Sequence, residues 1–156
     1  MPRFETTRPV RHAAETMFDL VADIERYPEF VPMCERLAVR RRAESGEGVT
    51  QLIADMTIGY KMIRETFTTR VTIDRPRLRI AVEYVDGPFR HLENRWTFLP
   101  RADGAPGSDV RFFIDYEFRS RTFQMLAGAV FEKVFRKMAE AFEARADALA
   151  RRSLSG

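Results

Sequence analysis

Two histidines, His12 and His91, and one cysteine, Cys34, are the residues best suited to metal binding or nucleophilic chemistry, and their spacing suits neither. Zinc ligands come in short-interval sets, which these scattered positions do not form. A thiol reacts as its thiolate and needs surroundings that lower its pKa. Cys34, set among apolar residues, reads as a small apolar filler. The chain has no glycine-rich phosphate loop and no G-x-S-x-G elbow. Charged residues inside strand patterns are the next candidates. Glu65 shares a face with Ile63 and Phe67, while His91, Glu93 and Arg95 share one with Phe89. They read as solvated or paired sheet-face charges. The sharper alternative makes Glu65 a polar fixture inside a cavity, since an unpaired buried charge is costly. Arg40 to Arg42, and Arg75, Arg77 and Arg79, could touch phosphates. Alternation puts Arg40 and Arg42 on one side, opposite Arg41. Without interleaved aromatics they read as a solvated edge or outer face.

The elements that hold these residues follow from periodicity. "RFETTRPV" alternates as a short strand, and "AAETMFDLVADI" places Ala14, Phe18 and Val21 at helical spacing. "DIERYPEFVP" reads as a second short helix ended by its prolines. From Leu37 the period is two. "LAVRRRA", "VTQLIADMTI" (ended by Gly59), "MIRETFTTRVTI", "LRIAVEY", "FRHLENRWTFL" and "VRFFIDYEF" are separated by turn signals too short to hold crossover helices. Neighbouring strands so joined are antiparallel. With the N-terminal strand they make seven.

After Ser120 the period returns to helical. Phe123, Leu126, Val130, Val134, Met138, Phe142 and Leu149, flanked by Phe131 and Phe135, form one wide apolar stripe. A helix from Thr122 to about Arg152 would be roughly 45 Å long. So apolar a face must lie on the sheet, core first and ligand wall second. The result is an α+β domain, a seven-stranded antiparallel sheet curled around a long C-terminal helix, with two short helices after the first strand. A single domain is expected over 1–156, with its core at about 3–150 and a disordered tail at 151–156.

The bulk composition agrees. With 45% hydrophobic and 31% charged residues the chain is globular rather than disordered. One cysteine excludes an intrachain disulfide framework and fits a reducing compartment. A net charge of +3 dictates neither a membrane nor a nucleic-acid partner. No apolar run spans a bilayer, and "MPRFETTRPV" lacks a signal core, so a cytoplasmic protein is expected, with peripheral contact on the inner membrane left open. The 13 Phe, 4 Tyr and 1 Trp are a large aromatic stock beside so little reactive equipment. That balance suits holding an apolar molecule better than converting one.

"YPEFVPMC" (Tyr27 to Cys34), "GYK" (Gly59 to Lys61), "ETFTTRV" (Glu65 to Val71), "DGPF" (Asp86 to Phe89), Trp96-x-Phe98 and "DYEFRS" (Asp115 to Ser120) occur in order. Together they resemble the coenzyme Q-binding START-like family, which also includes the bacterial ribosome-association toxin. The resemblance covers roughly residues 3 to 150 and implies a helix-grip fold with a tunnel for ubiquinone, carried rather than converted, and no required cofactor. Two departures are Met33, where relatives often carry an aromatic residue, and the polar "RSRTF" after the last motif.

The ligand wall so implied takes Tyr27, Phe30, Val31 and Pro32 from the first motif. It takes Tyr60, Lys61, Glu65, Phe67, Tyr84, Trp96 and Phe112 from the strands, and Phe123, Val130 and Phe131 from the helix. A quinone ring has only acceptors, so Lys61, Tyr60, Tyr84 and Trp96 are its expected donors. "YPEFVPMC" then has two readings: a greasy lid at the tunnel mouth, or an ordinary loop whose Phe30 and Val31 plug the core.

Three functions compete. A ubiquinone or polyprenyl-lipid carrier leads. A protein that binds the large ribosomal subunit and blocks subunit joining, with Arg40, Arg42 and Arg77 on rRNA, is second. A cyclase or aromatase-like enzyme is third. DNA is not an expected partner.

Overall fold

The computed structural model describes residues 3–60 and 62–155, and of residues 126–129 and 154–155 the backbone only. Strand β1 (Arg3–Val10) leads into helix α1 (Ala14–Ala22) and a 3₁₀ helix (Ile24–Glu29). Strands β2 (Cys34–Gly46), β3 (Val49–Tyr60), β4 (Ile63–Asp74), β5 (Arg79–Asp86), β6 (Phe89–Pro100) and β7 (Ser108–Phe118) follow, and helix α2 (Arg121–Ser155) closes the chain. The strands form one sheet in the order β1-β7-β6-β5-β4-β3-β2. Every neighbouring pair is antiparallel. Helix and sheet bury a common core on the concave side, from Met17, Phe18 and Val21 of α1 to Phe131, Phe135, Phe142 and Ala146 of α2.

The expected seven-stranded antiparallel sheet and long helix are present, and the differences are local. The second short helix is 3₁₀ in type and contains Pro28. Gly59 does not end β3, which pairs on to Tyr60 opposite Ile63. A Cβ at Gly59 would lie 1.8 Å from Glu35 Oε2. The glycine therefore leaves room for the Glu35 carboxylate, which accepts from Arg64 Nε at 2.7 Å. Helix α2 continues to Ser155, through most of the stretch expected to be an irregular tail.

Two register shifts move charges from the faces assigned by simple alternation. One lies between Phe89 and His91, so Phe89 points inward while His91 turns out beside Asp115, its Nε2 3.2 Å from Oδ1. A β-bulge adds one residue and inverts the facing of everything beyond it. The other lies between Val39 and Arg41. Arg40 reaches outward to Asp55 at 3.5 Å, whereas Arg42 reaches Glu25 of the 3₁₀ helix at 2.8 Å. The two arginines do not share a side.

The ion pairs and the charged hydrogen bonds that hold helix α2 lie in its C-terminal half, whereas its first turns are tied to β7 by Phe118 N–H donating to Gln124 Oε1 at 3.0 Å. Arg8 Nε donates to Glu143 Oε1 at 2.7 Å, His12 Nε2 lies 2.6 Å from Asp147 Oδ1, and Arg145 donates to Glu29 at 3.0 Å. Among the described residues no ion pair joins residues 121–135 to the sheet. His12 holds the Asp147 carboxyl below the usual carboxylate range. A depressed carboxylate stabilises the fold above about pH 4, and that contribution is lost as pH falls through its native pKa. Melting temperature should therefore drop less steeply between pH 5 and pH 3 in Asp147→Asn than in the wild type, as checked by thermal melts across that range.

Glycines at the β6–β7 connection supply a second test. Gly104 (φ +77°) has open space where a Cβ would sit. Gly107 (φ +111°) would place one 2.1 Å from the Val10 carbonyl oxygen, which is backbone and cannot swing aside. Gly104→Ala should cost about 1–2 kcal/mol. Gly107→Ala should cost more than about 3 kcal/mol in urea unfolding.

Candidate functional site

Between the concave face and α2 lies a cavity of ≈ 130 Å³. Its floor comes from alternate residues of β2 to β7, which their strands direct inward. Its roof comes from Phe131, Val134, Phe135 and Met138 of α2, and one side from Val31, Pro32 and Met33. Met33 has φ +66°, unusual for a residue with a side chain. This conformation reverses the chain from the 3₁₀ helix into β2, where the Met33 carbonyl accepts from Gly59 N–H at 2.9 Å.

Among the described wall residues none is Asp, Glu, His, Lys or Arg. The titratable groups present are held neutral. Burial pushes the Cys34 thiol up to about 11. Burial, reinforced by the nearby Glu132 charge, pushes the Tyr116 hydroxyl up to about 12. Burial also raises Tyr27, whose hydroxyl donates to the Val21 carbonyl. Such a wall holds no general acid or base poised for neutral pH. Among the described residues no cluster of His, Cys, Asp and Glu could hold a metal ion.

Of the wall expected from sequence, Tyr27, Val31, Pro32, Phe67, Trp96, Phe112 and Phe131 line the cavity. Lys61 lies outside the described residues. The others stand elsewhere. Phe30 packs edge-on against Phe142, with ring centroids 5.2 Å apart, beneath the Arg145 guanidinium. Tyr84 turns its hydroxyl to accept from Phe89 N–H at 3.2 Å. Phe123 sits on Phe118, and Val130 is half-buried and off the wall. Tyr60 and Glu65 lie near the β3–β4 turn, beyond the wall and only half-buried, so Glu65 is not a cavity fixture.

The polar wall residues that sequence reasoning passed over are Thr69, Asn94 and Tyr116. Thr69 follows Phe67 on the inward face of β4, so alternation could have found it. Asn94 was hidden by the bulge after Phe89, since unbroken alternation turns it outward. Asn94 Nδ2 donates to the Phe113 carbonyl at 2.8 Å. The side chains of Thr69, Trp96 and Tyr116 make no hydrogen bond to another described residue, and none of their polar atoms is sealed from water-sized access. They are the polar features of an otherwise apolar hollow.

Residues 10–143 match the family model described as polyketide cyclase / dehydrase and lipid transport. The chain belongs to this family. It is 34% identical over 146 residues to the ribosome association toxin RatA of Escherichia coli K12, covering 94% of this chain and 87% of that one. To the mitochondrial coenzyme Q-binding protein COQ10 homolog B of Xenopus laevis it is 30% identical over 145 residues, covering 92% of this chain and 57% of that one. This START-like chain therefore spans little more than half of that relative. A solved 18 kDa protein of Caulobacter crescentus is similar at 31% identity and TM-score 0.80, covering 96% and 99% of the two chains.

The aromatic latch around Phe142 distinguishes packing from lining. Phe142 is 1% exposed and lies 5.3 Å from both Tyr27 and Trp96, centroid to centroid. Phe142→Ala should cost about 3–5 kcal/mol. Phe30→Ser should also lower the melting temperature, contrary to what a free lid would show, whereas Pro32→Ala at the wall should leave it within a few degrees.

Proposed function

We propose that this protein binds and carries a polyprenyl quinone of the ubiquinone type without converting it. The observation that carries the reading is the cavity between sheet and helix whose described wall has no charged side chain. Burial of apolar ligand surface there contributes roughly 25 cal/mol per Å². Trp96, Thr69 and Tyr116 offer hydrogen bonds to ring oxygens. A relative whose name states coenzyme Q binding supports the same reading.

The size of the hollow refines it. At ≈ 130 Å³ it is close to the ~150 Å³ of an engineered cavity that holds one benzene. The hollow matches one unsubstituted ring, so the larger, methoxy-bearing head requires the wall side chains to give, and a long tail must leave the protein. Antiparallel register places the β3–β4 turn, the β5–β6 turn and the starts of β2 and α2 at one end of the sheet. Met62, 98% exposed, and Met125, 84% exposed, project there. The tail leaves at this end, and the methionines meet the bilayer that supplies the quinone. No described helix is long and apolar enough to cross a membrane, so the contact is peripheral.

A second reading, a ribosome-directed protein, is favoured by the similarity to RatA. Against it, the arginines expected on rRNA are engaged: Arg40 with Asp55, Arg42 with Glu25 and Arg77 with Asp74.

The deciding experiment is mass spectrometry of organic extracts from protein purified out of quinone-producing cells, beside an unrelated control. Ubiquinone near one per protein is expected. Ala54→Phe, which fills the wall from β3, should lose the quinone and keep the melting temperature. No quinone above control, together with salt-sensitive sedimentation on large ribosomal subunits, would replace the carrier reading with the second.

A further inference from the structure

We propose that the cavity selects the reduced ring, a hydroquinone whose O–H donates to the amide oxygen of Asn94. This deepens the quinone-carrier reading and rests on it. Three facts about Asn94 carry it. Its side chain lines the cavity from the middle of β6, in a cross-strand row with Val71, Val82 and Ile114, all apolar. Its Nδ2 donates to the Phe113 carbonyl at 2.8 Å, which fixes the amide orientation, because a carbonyl takes only a donor. Its Oδ1 has no partner among the described residues, yet it is not one of the polar atoms sealed from water-sized access. The atom Asn94 presents to the hollow is therefore an acceptor.

That polarity separates the two redox forms of one ligand. A quinone ring offers only carbonyl and ether oxygens, so at Asn94 lone pairs face lone pairs. A quinol has the same size and shape but carries two O–H donors, and one meets Oδ1. The other polar groups are indifferent. The Thr69 and Tyr116 hydroxyls donate or accept, and the Trp96 N–H donates to a carbonyl or phenolic oxygen alike. Discrimination therefore falls on a single atom, and the protein performs no redox step itself.

The test uses ubiquinone-1 and its chemically reduced quinol, held anaerobically, with affinities from calorimetric titration of the full chain. The short tail suits the small hollow. Wild-type protein should bind the quinol about tenfold more tightly, the scale of one neutral hydrogen bond against an unpaired buried acceptor. The bound couple should then titrate about 30 mV above the free couple, since tenfold is ~30 mV for two electrons. Asn94→Leu should abolish the preference by weakening quinol binding, with quinone binding kept or improved. Thr69→Val should weaken both forms alike. Equal affinities in the wild type, tighter quinone binding, or a preference that survives Asn94→Leu would overturn the proposal while leaving the carrier reading intact. Binding of neither form would overturn the carrier reading, and the proposal with it. If Asn94→Leu does not fold, the wild-type affinity ratio and the potential shift still decide.

Discussion

A mismatch of widths underlies the rest of the structure. Seven strands at about 4.8 Å spacing make a face roughly 30 Å across before curling. A helix with its side chains is only about 10–12 Å wide. The inward face is apolar over most of that width and must be covered, but α2 alone cannot cover it. Helix α1 and the 3₁₀ helix shield part of the remainder, with Phe18 edge-on to Phe98 at 5.8 Å. What neither covers is the hollow. The cavity thus follows from covering a broad curved sheet with narrow elements, and its chemistry is that of the sheet's inward face.

Much of this was legible in the sequence. The change of period at Leu37, and its reversal after Ser120, fix the element order. Short turns force antiparallel pairing, and the Phe stripe marks the helix that must lie on the sheet. The site was legible only in part, for physical reasons that attach to particular residues. Simple alternation fails where an extra residue interrupts a strand: it turns Asn94 outward and puts Arg40 and Arg42 on one side, and the bulges reverse both. Phe30 reads as a lining residue in the sequence because composition does not show which aromatic partner a ring chooses. It chose Phe142 and Arg145. Tyr84 reads as a free donor because no sequence pattern reveals that its hydroxyl accepts from a backbone N–H five residues on, across the β5–β6 turn.

The uncharged wall also bears on how one fold serves several purposes. A family described by both cyclases and lipid transport shares the scaffold, and function resides in the few polar groups set into it. Here those groups are an amide, two hydroxyls and an indole, all neutral near pH 7. In the carrier reading proposed above, they orient a ring and rank its hydrogen-bonding forms. The described charged residues lie on the outer face and at the seams between elements, where Arg8, His12 and Arg145 meet carboxylates.

Those seams and the short link from β7 make α2 a beam supported at both ends. Its far support lies at Glu143, Arg145 and Asp147. At the near end only Arg119 and Ser120 separate it from β7, and Gln124 Oε1 accepts from Phe118 N–H at 3.0 Å. The cavity roof, Phe131 to Met138, is the span between these supports. A beam held at both ends yields most in its middle, so the part of the helix with the most give is the part that covers the hollow.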